Sequence, residues 1–167
     1  MPHADKNLTD LFHATLRDMY YAEKKMLTAL PKMAKASQST KLRNAFDKHL
    51  HETEGHRERL EQVFELIDKP ARGKKCPAID GLVEEGKEIM AEFKDSPALD
   101  AGLIAAAQAA EHYEISRYGT LRAWAERLGM EKAADLLDQT LSEEKKTDAA
   151  LVELAEAGIN QDADVMA

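Results

Sequence analysis

Apolar residues recur at intervals of three and four along nearly the whole chain, the period of amphipathic helices rather than of strands. The first such stretch covers about Leu8–Ser37, with Phe12, Leu16, Met19, Met26, Leu27, Leu30 and Ala34 on one stripe. Pro31 predicts a kink or a short break within it. A second stretch, about Lys41–Ile67, turns Leu42, Phe46, Leu60, Val63, Phe64 and Ile67 inward. Lys69–Lys75, with Pro70 and Gly73, reads as a solvated loop. A shorter helix over Pro77–Phe93 carries Ile79, Leu82, Val83, Met90 and Phe93, and Gly81 and Gly86 leave it dependent on packing. Ser96-Pro97 reads as a cap with proline at the first helical position, opening a helix to Leu128 that Gly129 stops. The last stretch runs over Glu131–Ala157, with Gly158 as its end and little beyond it to anchor the tail.

Tight turns make the first two long stretches one antiparallel hairpin and the last two another. Roughly thirty residues with a short helix separate them, enough at about 1.5 Å per helical residue to return along the bundle. The expectation is an all-α, ferritin-like four-helix bundle with a long crossover that carries an extra short helix, a single domain over residues 1–167.

Composition narrows the function classes. A chain of 167 residues can bury a real core without staples. The net charge of −8 argues against a nucleic-acid binder and against adsorption to anionic membranes. One cysteine, Cys76, excludes an internal disulfide and a cysteine-built zinc site. No apolar run approaches the ~20 residues of a membrane span. Met1–Lys6 lacks the apolar stretch of a secretory leader, so a cytoplasmic location is expected.

The unusual feature is acidic residues on lines that should face the core. Glu23 sits among Met19, Met26, Leu27 and Leu30. Glu114 lies between Ala107, Tyr118 and Leu121, with Glu111 a turn earlier, and Glu144 falls between Leu137 and Leu151. The corresponding part of the second stretch reads His49, Thr53, His56, with Glu52 at its flank. Counted from the two hairpin turns, all four sets reach the same depth, near mid-bundle. Ionised carboxylates there are costly without positive charge, and no Lys or Arg lies on those lines. A carboxylate-bridged pair of cations meets that need.

Glu23, Glu52, His56, Glu111, Glu114 and Glu144 form the expected ligand set, with Asp148 a turn after Glu144 as a further ligand or supporting contact. Mostly hard oxygen donors favour iron, with manganese or zinc as alternatives. His49 reads first as a hydrogen-bonded core histidine and second as a ligand; Glu54 and Glu143 read as solvated face. A zinc-protease motif is rejected, because Gly55 stands four residues after His51 where it needs histidine.

The blocks His49–Leu60, Cys76–Leu82, Gln108–Ile115 and Leu141–Lys146 resemble the YciE/YciF family of bacterial ferritin-like stress proteins, over about Leu8–Glu156. The resemblance implies a homodimer, and its Glu pattern is similar to that of rubrerythrin and bacterioferritin. Glu23 then matches the first Glu of a diiron site, Glu111 and Glu114 the paired Glu, and His56 one histidine. Thr53 departs from the Glu of Glu-x-x-His, and Thr147 stands where a second histidine is expected. Three functions compete: reduction of peroxide or O2 at a diiron centre, non-catalytic metal holding or iron sequestration with an outer surface for assembly, and a metal-free structural bundle.

Overall fold

The computed structural model describes residues 5–165; residues 1–4, most of the segment read for a leader, and 166–167 lie outside them. Five helices carry the architecture: α1 Leu8–Ala36, α2 Thr40–Leu66, α3 Pro77–Glu92, α4 Leu99–Arg127 and α5 Glu131–Leu154. No strand occurs among the described residues. Among those residues, no helix is long and apolar enough to cross a membrane.

Local chemistry sets the helix ends. Asn7 and Asp10 cap α1 reciprocally, the Asn7 side chain accepting from Asp10 N at 3.2 Å and Asp10 accepting from Asn7 N at 3.0 Å. Ser39 caps α2 by accepting from Leu42 N. Gly129, at φ 74°, takes the left-handed position that closes α4, and Met130 N donates to Ala125 O across it. Asp68, at φ 53°, fills the equivalent place after α2.

The four long helices pack as α1–α2–α5–α4 around a common core, with α3 laid across α1 and α4. Asp100 fixes the topology. Its carboxylate accepts Gln38 N at 2.8 Å and Ser39 N at 2.7 Å, so the start of α4 sits against the α1–α2 turn. The end of α2 lies at the opposite pole, where Leu66 lines one cleft with Gly129 and Met130. The α2–α4 connection therefore traverses the bundle, and α2 and α4 run parallel. Small residues let α3 settle on α4: a Cβ on Gly102 would come within 2.7 Å of Ile89 Cγ2.

Three sequence readings change. α1 continues through Pro31, so the short break that was one of its two expected effects does not occur. The Ser96 hydroxyl accepts Ala98 N within a turn that precedes α4, and the helix itself begins at Leu99. Gly158 does not end the chain's helical course: a π-helical turn, Ala155–Ile159, carries the kink and a short helix α6, Asn160–Ala163, follows. Ile159 is buried there, which anchors the tail. The basic loop is also tethered, since Lys74 N donates to Arg17 O and Arg17 reaches Arg72 O and Gly73 O.

Asp100→Ala leaves the Gln38 and Ser39 amides without their acceptor. Two charge-assisted hydrogen bonds are lost, so urea denaturation should show a loss of about 2–4 kcal/mol. A loss below about 0.5 kcal/mol would mean that the crossover is held elsewhere.

Candidate metal centre

Four helices deliver polar side chains to one buried point. Glu23 comes from α1, His49 and His56 from α2, Glu111 and Glu114 from α4, and Glu144 from α5. All six are buried, and the four carboxylates are fully so. Donor atoms of His49, Glu111, Glu114 and Glu144 all lie within 4.8 Å of one another, and so do those of Glu23, His56 and Glu144. Glu144 belongs to both groups, which gives two adjoining subsites with one shared carboxylate.

The contacts are close but poorly directed. His49 Nε2 lies 2.7 Å from Glu111 Oε1 and 4.0 Å from Glu144 Oε2. His56 Nδ1 lies 3.0 Å from Glu144 Oε1 and 3.6 Å from Glu23 Oε1. None of these is aligned as a hydrogen bond. Both nitrogens, Glu23 Oε2 and both oxygens of Glu111, Glu114 and Glu144 lack a hydrogen-bond partner. Buried polar atoms are seldom left so. Lone pairs that converge on shared points rather than on one another are what a cation pair requires, and this donor set of carboxylates and two imidazoles fits one.

The surrounding residues orient the cluster. The Tyr118 hydroxyl donates a hydrogen bond to Glu23 Oε1, leaving Oε2 free. The outward nitrogen of His56, Nε2, lies 2.8 Å from Glu143 Oε2. Arg59 grips both oxygens of Glu143, at 2.9 and 2.7 Å, and Arg59 also reaches Thr140 Oγ1. A carboxylate behind an imidazole sets its orientation and turns the other nitrogen to the site. Thr53, beside the histidines, donates to His49 O instead and adds nothing to the cluster.

Two of the expected ligands stand off. Glu52 lies at the edge of the bundle, where Thr147 donates to its Oε2 at 3.3 Å and His49 Nδ1 is 4.0 Å away. Asp148 accepts from Gln108 at 3.3 Å and contacts His112 Nε2 at 3.1 Å. His49 points into the cluster, although the sequence favoured a core role. Its place on the central stripe between Phe46 and Thr53 was the available signal. Glu143, read as solvated face, is the partner of His56 and Arg59, and no spacing within one helix could have shown that.

Burial governs the ionisation of the cluster. It raises the Glu23 carboxyl to about 7, against partial relief from His56. Burial likewise lifts Glu111 and Glu144 to about 7, and the nearby Glu111 adds to the rise at Glu144. Glu114 is raised well above the ordinary carboxylate range by burial and then by Glu23, Glu144 and Glu111. Burial lowers His49. For His56 burial also opposes protonation, but Glu144, Glu23 and Glu143 outweigh it and bring the ring to about 9. Without metal, the core approaches neutrality by holding protons where cations would sit.

Comparisons with known proteins agree with this architecture. A family model described as "Domain of unknown function (DUF892)" matches residues 7–164. YciF of Escherichia coli (strain K12) is 46% identical over 160 residues, covering 95% of this chain and 96% of that protein. The crystal structure of the E. coli stress protein YciF matches with a TM-score of 0.89, covering 93% of this chain and 99% of that one. YcfI of Rhodopseudomonas palustris matches with a TM-score of 0.87 at 43% identity, over 91% and 97% of the two chains. A Xanthomonas campestris protein, 21% identical with a TM-score of 0.72, shares the fold alone.

Carboxyls raised from 4.5 to about 7 keep protons in the folded state that the unfolded chain releases. Their contribution to stability is complete below about pH 4.5 and is lost as pH rises through about 7. His56 acts in the same direction up to about 9. The chelator-treated protein should therefore melt at progressively lower temperature from about pH 5 to about pH 8. With divalent metal present the decline should flatten or reverse, because binding displaces those protons. A metal-free melting temperature that climbs over that range would refute the assignment of burial as the dominant effect.

Proposed function

This chain belongs to the DUF892 family and is a YciF-like protein; from that premise, we propose that its core is a dinuclear metal centre serving a stress-response oxidoreductase. The observation that carries the reading is the convergence of unpartnered buried atoms from all four long helices. His49, Glu111 and Glu114 would hold one cation, Glu23 and His56 the other, and Glu144 would bridge them. Four carboxylates against two imidazoles favour iron or manganese over softer metals. A bound iron pair would supply electrons for the reduction of peroxide or O2.

The protein's own part is positional. Tyr118 holds one oxygen of Glu23 and leaves the other to the site. Glu143 and Arg59 fix the His56 ring from behind. Full burial of Glu23, Glu111, Glu114 and Glu144 excludes bulk water and limits access to small oxidants. That same closure also favours a second reading, in which the metals are held without turnover.

Titration with ferrous or manganous ion under argon should saturate at two ions per chain. Glu144→Gln should weaken both sites, since it removes the shared oxygen donor. The same substitution should raise the melting temperature of the metal-free protein, because a buried acid disappears, and lower that of the loaded one, because a ligand is lost. Shifts of the same sign in both states would overturn the metal reading. Stopped-flow spectra of the ferrous protein mixed with peroxide or O2 then separate turnover from inert storage.

A further inference from the structure

The cluster is closed, so a cation needs a way in. Three half-buried carboxylates border it: Glu143, Asp148 and Glu52. Glu143 has both oxygens engaged by Arg59, with His56 on one of them. Asp148 has one oxygen on Gln108 and the other near His112. Glu52 is held differently. Its Oε2 accepts from Thr147, and its Oε1 faces only Lys48 at 3.6 Å, whose own side chain is 74% exposed. The Glu52 side chain is 23% exposed, so it reaches water while its inner oxygen stands 4.0 Å from His49 Nδ1.

His49 spans the wall. Its side chain is only 3% exposed. One ring nitrogen faces Glu52 and Thr147, and the other, Nε2, points without a hydrogen-bond partner at Glu111 and Glu144. The seam between α2 and α5 at this height is polar: Glu52 and Arg59 face Thr140, Glu143 and Thr147. Gly55, a turn along from Glu52 on α2, leaves open space where a side chain would stand.

We propose that Glu52 is the entry ligand of the metal centre. A hard divalent cation is captured at the α2–α5 seam by the Glu52 carboxylate, displaces the Lys48 ammonium, and passes the His49 ring to Glu111 and Glu144. This rests on the dinuclear reading and deepens it: Glu52 governs how fast the site fills, not how much metal it holds. No bond other than coordination changes, and the cation's charge is met at each stage by a carboxylate.

The test is the kinetics of Mn2+ and Co2+ uptake by the full chain, followed by stopped-flow competition with a fluorescent chelator, alongside equilibrium stoichiometry. Glu52→Gln should slow loading by about tenfold, the loss expected when a steering charge is removed from a narrow entry. Its final stoichiometry and its circular dichroism should match the parent. Glu52→Asp should recover part of the rate, Lys48→Ala should increase it, and Asp148→Asn should leave it unchanged. Loading of Glu52→Gln at the parent rate would overturn the entry role. Loss of one bound ion in that variant would also overturn it, by making Glu52 a resident ligand. Failure of the parent chain to bind either ion would overturn the underlying dinuclear reading, a result distinct from both.

Discussion

Desolvation of four glutamates at the centre of the bundle is the constraint on which the rest depends. Glu23, Glu111, Glu114 and Glu144 each arrive from a helix whose other buried residues are mostly apolar or small, with Asp100 at the far end of α4 the charged exception. An ionised carboxylate in such surroundings costs several kcal/mol unless charge of the opposite sign is near. Among the described residues, the buried candidates are two imidazoles. Burial disfavours a charge on His49, and one protonated His56 cannot balance four carboxylates. The bundle must therefore take up either protons or cations. Protons link its stability to pH, and under the proposed reading cations would link it to metal supply.

Holding the four carboxylates at one height is the work of the scaffold. Each hairpin sets the depth of two helices, and Asp100 ties the start of α4 to the α1–α2 turn. Without that brace the second hairpin could slide along the first, and a slip of one turn, about 5.4 Å, would separate Glu114 from Glu23 altogether. The crossover helix α3 closes the outer side of α1 and α4, where Gly102 allows Ile89 close approach. The seam between α2 and α5 is left to polar side chains. The fold thus covers the centre with apolar side chains along α1 and α3, and leaves half-buried polar side chains at the α2–α5 seam and, through Asp148 and Gln108, between α4 and α5.

Much of this was legible in the sequence, because helical geometry is local. A residue's direction follows from its position at about 100° per residue, so Glu23, His56, Glu114 and Glu144 could be placed on inward lines by counting, with Glu111 toward the edge of its line. Helix boundaries were legible where a cap has local chemistry, as at Gly129. They were less so where a turn intervenes, as at Ser96, or where a kink lets the chain resume a helix, as at Gly158. In those places the outcome depends on neighbours: Ile159 continues inward because α4 offers it a surface.

The sequence by itself determined the all-α architecture, the crossover and the presence of acids in the core, since each depends on period and spacing within single segments. Only the tertiary structure decided which polar residues meet. His49 rather than Glu52 faces Glu111, and Glu143 rather than any residue of α2 supports His56. Those choices turn on how far each helix is rotated about its own axis against its neighbour, and on which rotamer fills the gap. Positions three apart on a helix, such as His49 and Glu52, differ by only about 60° in direction, so a modest rotation decides between a flanking Glu and a central His. That rotation is set by packing across the seam, which no single segment encodes.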